Sequence, residues 1–95
     1  MHKIVYLSLG SNLGDRAANL RSAIERLGTL GKVTELSSFY ETEPVEVTDQ
    51  PWFLNCAVKL DTEKMPRQLL AAILALERDM GRHRTQSKGP RTIDI

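Results

Sequence analysis

Phe53 and Asn55 stand two positions apart in the alternating run FLNCAVKL. On a strand, that spacing sends both side chains out of one face. An aromatic ring beside an amide can stack on a flat heterocycle and pair with its donors and acceptors. The same pair can also be a half-buried ring with an amide closing a ladder. A second cluster lies in residues 81–91, which contain Arg82, Arg84, Lys88, Arg91 and His83 but no acid. Guanidinium forks match phosphate oxygens in two-point contacts, and a mobile arginine can close over a phosphoryl group in transfer. A solvated basic loop is the alternative. Three residues past Arg91 comes Asp94, set between Ile93 and Ile95. A carboxylate among aliphatic neighbours needs a partner, because an unpaired buried charge is costly. Mg²⁺ on a nucleotide would supply one, since that ion is held by one or two carboxylates with phosphate and water oxygens around it. A salt bridge to Arg91, or an aspartate at a sheet end facing water, would meet the same need. Glu77 can accept from a ribose or an adenine, or pair with a nearby arginine.

Groups so far apart in sequence need a scaffold to bring them together. Residues 3–10 are apolar and rich in β-formers, and read as a buried strand. The period then changes: Leu13, Ala17, Leu20, Ile24 and Leu27 make one helical stripe that ends near Gly28 and Gly31. The GSN at Gly10, Ser11 and Asn12 resembles an anion cradle at a helix start, but it lacks the spaced glycines and Gly-Lys pair of a Walker loop. Ser11 or Asn12 is expected to cap the helix. Residues 33–40 read as a second strand, followed by ETEPVEVTDQPW, a loop longer than a hairpin needs and of a length more often functional than accidental. Residues 53–60 form a third strand, with Leu54, Cys56, Val58 and Leu60 on one side and Phe53, Asn55, Ala57 and Lys59 on the other.

Pro66 suits a first helical position, and Leu69, Ile73, Leu76 and Met80 make a buried stripe that stops at Gly81. TIDI then begins a fourth strand. The expected fold is α/β (α+β), a ferredoxin-like β-α-β-β-α-β core with its final strand truncated. In that order the fourth strand lies against the first. Truncation at Ile95 is therefore expected to leave the first strand as an edge, open to a strand-edge dimer or to poor solubility.

Composition narrows the classes. The chain has 95 residues, 41% hydrophobic and 26% charged, which suits one folded domain over residues 1–95. A net charge of +1 gives no reason to invoke nucleic acid or an anionic membrane. A sheet presenting aromatics beside a basic loop is also a way to bind RNA, so an RNA-binding module is the alternative class. Only 5% aromatic residues weigh against it. The single cysteine, Cys56, can form no internal disulfide and fits a reducing compartment. The apolar run at the start is too short for a signal sequence, and no stretch approaches the roughly 20 apolar residues needed to cross a bilayer. A cytoplasmic location without membrane partners is expected.

Four segments in register, SLGSNLGDR, SSFYETEPV with DQPWFLNCAV, LERDMGRHR and KGPRTIDI, resemble the 6-hydroxymethyl-7,8-dihydropterin pyrophosphokinases of folate biosynthesis. The resemblance covers essentially the whole chain. It implies a single pterin pyrophosphokinase domain that transfers the terminal pyrophosphoryl group of ATP to the hydroxymethyl oxygen of the pterin, with ATP as co-substrate and two Mg²⁺ ions. By that likeness Asn55 pairs with the pterin edge, Phe53 stacks near its ring, and Thr42, Pro44 and Val45 form a wall from the long loop. Arg82 and Arg91 are the implied catalytic cations, Glu77 and Arg84 touch the nucleotide, and Asp94 is a magnesium ligand. The family's end motif continues to a second aspartate one residue past Ile95. The chain is therefore expected to be C-terminally incomplete and to have little catalysis by itself.

Overall fold

A computed structural model of the chain describes residues 1–45, 49–81 and 91–95. The alternating stretch after Trp52 forms the longest strand, and the strand near the start pairs with it. In chain order the elements are β1 (Lys3–Ser11), α1 (Arg16–Leu27), β2 (Lys32–Leu36), β3 (Tyr40–Thr42), β4 (Phe53–Thr62) and α2 (Pro66–Asp79). β4 lies between β1 and β2 and is antiparallel to both, and β3 pairs with its Phe53 end. β1 and β2 thus run parallel, with β4 inserted between them and α1 as the crossover. Among the described residues the fold is α+β, with an antiparallel sheet and two helices.

One face of the sheet holds the core. Leu9 of β1 and Cys56, Val58 and Leu60 of β4 pack with Leu20, Ala23 and Leu27 of α1 and Leu69, Ile73 and Leu76 of α2. Apart from Ala23, which the expected α1 stripe did not include, these are positions at strand period two and helical period 3.6 that the hydrophobic pattern marks. The opposite face is open, with Tyr6 73% exposed. There Lys59 stands 5.9 Å from the Tyr6 ring and 3.5 Å from Glu35.

Local chemistry fixes the helix ends. α1 is capped by Asp15, whose carboxylate accepts from the Ala18 N–H at 3.0 Å. The cap is thus neither Ser11 nor Asn12, and Leu13 precedes the helix. Gly14, at φ 65°, makes the turn between them. α2 begins at Pro66 as expected, and Gln68 accepts from the Met65 N–H at 3.0 Å to close its first turn. It ends ahead of Gly81, which takes φ 88°.

The expected strand over residues 33–40 is interrupted. The register shifts between Val33 and Glu35, so Thr34 is an extra residue opposite β4. β2 then stops at Leu36, and Ser37 bonds Ala57 through its N–H at 2.9 Å and its hydroxyl at 2.8 Å. Pairing resumes only as β3. The final segment does lie beside β1: Gly10 and Asp94 exchange backbone hydrogen bonds of 2.8 Å in each direction, and Ile93 enters the core. Among the described residues, this bridge is the only strand pairing on the outer edge of β1.

Candidate functional site

Where β1, β3 and β4 meet the final segment, a cleft of about 370 Å³ opens on the side away from the core. Its floor depends on Gly10. A Cβ there would stand 2.9 Å from Asn55 Oδ1 and 3.4 Å from Phe53 Cδ1, so glycine leaves room for both side chains. Asn55 is held from β3: its Nδ2 donates to the Tyr40 carbonyl at 3.2 Å and to Thr42 Oγ1 at 2.8 Å. With its donors engaged there, its Oδ1 is turned toward Gly10 and the cleft. Thr42, Pro44 and Val45 line the adjoining wall, together with Glu43.

Arg91 closes the other side. Its guanidinium carbon is 5.7 Å from the centre of the Phe53 ring, and its Nη1 donates to Asp94 Oδ2 at 3.3 Å. The cation is thus seated between an aromatic face and a carboxylate. The Arg91 and Asp94 side chains are 20% and 40% exposed, so this pair is accessible from the cleft rather than sealed. The salt bridge that the sequence left open as an alternative for Asp94 is present. It leaves the carboxylate at the cleft surface.

The fit to a metal can be tested on these residues. Among the described residues no three His, Cys, Asp or Glu side chains gather as a ligand set. Asp94 offers the cleft a part-exposed carboxylate, with Glu43 also in the lining. That donor set fits a hard cation such as Mg²⁺, which draws most of its ligands from water and phosphate.

The structure brings Thr42, Pro44, Val45, Phe53, Asn55, Arg91 and Asp94 to one cleft. Glu77 is not in its lining. It lies in α2, is 3% exposed, and accepts the Ile95 N–H through Oε2 at 2.9 Å, bracing the segment that carries Asp94. Arg82 and Arg84 lie outside the described residues. Cys56 faces the core, where burial pushes its thiol above its ordinary range, so it is no nucleophile for this cleft.

Two contributors escape the sequence reading. Gly10 looks like part of a helix-start turn, and only the register with Asn55 shows why it has no side chain. Asn12 looks like a cap, yet it is buried and bonds Gln50, Pro51 and Arg91. Its sole signal is a short amide directly after a strand, and its partners are too distant in sequence for spacing to reveal them.

Together these features define a small α+β domain with a ring, an amide and a paired arginine around one accessible cleft. A family profile described as 7,8-dihydro-6-hydroxymethylpterin-pyrophosphokinase (HPPK) matches residues 6–95, and the chain belongs to that family. The 2-amino-4-hydroxy-6-hydroxymethyldihydropteridine pyrophosphokinase of Methylorubrum extorquens is 51% identical over 92 residues, covering 95% of this chain and 58% of that protein. The Bacillus subtilis protein of the same name is 44% identical over 97 residues, covering 100% of this chain and 58% of its own length. The mitochondrial folate synthesis bifunctional protein of Pisum sativum is 48% identical over 92 residues, covering 96% of this chain and 18% of that protein. The chain thus spans little more than half of its bacterial relatives and a smaller part of the plant one. No helix among the described residues is long and apolar enough to cross a membrane.

Proposed function

We propose that this domain serves ATP-dependent pyrophosphoryl transfer to 6-hydroxymethyl-7,8-dihydropterin, giving the pterin diphosphate and AMP in folate biosynthesis. The observation that carries the reading is the convergence of Phe53, Asn55 and the Thr42–Val45 wall with Arg91 and Asp94 on one cleft. The names of the two bacterial relatives support it. The strand order and the Gly10–Asp94 bridge support a ferredoxin-like β-α-β-β-α-β arrangement, in which the final segment occupies the place of a strand beside β1.

Asn55 Oδ1 is a fixed acceptor for the N–H edge of the pterin, and the Phe53 ring offers a face to the heterocycle. The hydroxymethyl oxygen bonds to the β-phosphorus of ATP as the bond from that phosphorus to the α–β bridging oxygen breaks. AMP departs with the electron pair, and the hydroxyl proton passes to solvent. Negative charge grows on the phosphoryl and leaving oxygens, where a pre-positioned guanidinium is most effective. Arg91 is the proposed cation on the described side, with Arg82 as its counterpart and with Arg84 and Glu77 toward the nucleotide. Mg²⁺, when bound, supplies charge neutralisation on the triphosphate; Asp94 is its proposed ligand here, and two ions are proposed for the whole enzyme. A cytoplasmic location, and self-association of the chain through the outer edge of β1, complete the proposal.

The test is a titration with a nonhydrolysable ATP analogue and Mg²⁺, followed by the pterin, beside single-stranded RNA at low and moderate salt. Pterin binding that strengthens with the analogue is the expected result. Salt-sensitive RNA binding with no response to pterin or nucleotide would overturn the reading.

A further inference from the structure

Asn12 follows β1 and is 1% exposed, and its polar atoms reach three residues in two other pieces of the chain. Nδ2 donates to Gln50 Oε1 at 2.8 Å and to the Pro51 carbonyl at 3.0 Å. Oδ1 accepts the Arg91 N–H at 2.7 Å, and the Asn12 N–H donates to the Arg91 carbonyl at 3.0 Å. Arg91 is therefore gripped at both of its backbone polar groups by one residue. Phe53 lies two residues beyond Pro51. The ring and the cation that face each other across 5.7 Å are thus each held, directly or through two residues of chain, by the same side chain. Asn12 itself is anchored two residues from Gly10, the floor residue that pairs with both Asn55 and Asp94.

Only a side-chain amide meets these demands. It carries two donors and an acceptor on the two branches of one rigid planar group, whereas a carboxylate has no donor and an aliphatic chain has neither. Losing it would leave a part-buried Arg91 N–H or Pro51 carbonyl without its partner.

We propose that Asn12 is a positioning residue for the reaction proposed above, coupling the pterin wall to the final segment that presents Arg91 and Asp94. It touches no substrate. It sets the separation and register of the two walls, so that a bound heterocycle and bound phosphates meet at the transferring atom. The inference rests on the pterin pyrophosphokinase reading of the cleft.

Two substitutions separate the arms of this clamp. Asn12→Asp keeps an acceptor for the Arg91 N–H and keeps the shape. A carboxylate has no donor for Gln50 Oε1 or the Pro51 carbonyl, so the loop arm is the one damaged. Asn12→Ala removes both arms. Binding of 6-hydroxymethyl-7,8-dihydropterin is measured with a nonhydrolysable ATP analogue and Mg²⁺ present, and binding of the analogue is measured separately. In Asn12→Asp, pterin affinity is expected to fall roughly tenfold while analogue affinity stays within about twofold. In Asn12→Ala both fall by roughly tenfold or more, and Asp in place of Ala rescues the nucleotide side. The Asp variant keeps the test readable where the Ala variant unfolds. Parent affinities for both ligands in both variants, with only Tm lowered, would overturn the inference and leave the proposed function standing. A parent chain that binds neither ligand would overturn the proposed function and the inference with it.

Discussion

Gly10→Ala tests the cleft floor at its tightest point. Gly10 does not occupy the left-handed region, so alanine introduces no backbone strain, and its backbone bonds to Asp94 can persist. The added methyl would lie 2.9 Å from Asn55 Oδ1 and 3.4 Å from Phe53 Cδ1, the first distance shorter than real Cβ atoms tolerate. Asn55 cannot simply swing away, because hydrogen bonds of 2.8 and 3.2 Å fix its Nδ2 to β3. Either those bonds stretch or the strands separate by some tenths of an ångström, at a cost of about 1–2 kcal/mol. If that cost falls on the amide proposed to read the pterin, affinity drops by roughly five- to thirtyfold. Fluorescence titration with the pterin measures it directly, with the ATP analogue as a control expected to change little. Thermal denaturation of Gly10→Ala, Asn55→Ala and the double variant closes a cycle in which the second substitution removes the atom that the new methyl strikes. Gly10→Ala should then destabilise the Asn55→Ala background less than the parent. Equal destabilisation in both backgrounds, with pterin affinity unchanged, would refute the packing argument.

Three further outcomes follow from other parts of the molecule. Asp94→Asn should weaken binding of the ATP analogue in Mg²⁺ by roughly tenfold or more, yet leave it equal or slightly tighter without Mg²⁺, because a negative charge beside the phosphates is removed; identical affinities with and without the ion, in parent and variant, would count against Asp94 as a ligand. The Cys56 thiol is raised by burial, so the folded chain keeps its proton where the unfolded chain releases it. The stability tied to this group is present below its ordinary value of 9.0 and is lost as pH rises through the higher folded value; denaturant titrations of parent and Cys56→Ala across that window should show a steeper decline in the parent. Light scattering should detect concentration-dependent dimers formed through β1. Tyr6→Pro should reduce them without disturbing β4 pairing, because alternate residues from Gly10 back to Tyr6 direct their N–H groups outward. A monodisperse monomer at high concentration contradicts this.

The parts of the fold that were legible in the sequence are those in which one residue's environment is decided by near neighbours. Cys56, Val58 and Leu60 alternate with Ala57 and Lys59, and Leu69, Ile73 and Leu76 recur at helical spacing, so burial followed from local periodicity. The interruption after Leu36 was not legible. Residues 33–40 read as one continuous strand, and the extra residue at Thr34 shows only when the partner strand is known. The site divides in the same way. Phe53 and Asn55 share a face because they belong to one strand, and Arg91 and Asp94 can pair because they are three residues apart. Family likeness added Thr42, Pro44 and Val45, which periodicity alone would have left in an anonymous loop. Neither route reached Gly10 or Asn12, whose roles are set by contacts across the sheet and between distant loops. A missing side chain has no pattern to detect, and a lone amide near a helix start has a cheaper local explanation as a cap. Both residues act by fixing the separation between groups that are individually recognisable. That separation is a property of register, and register is settled only when β1, β4 and the final segment are packed together.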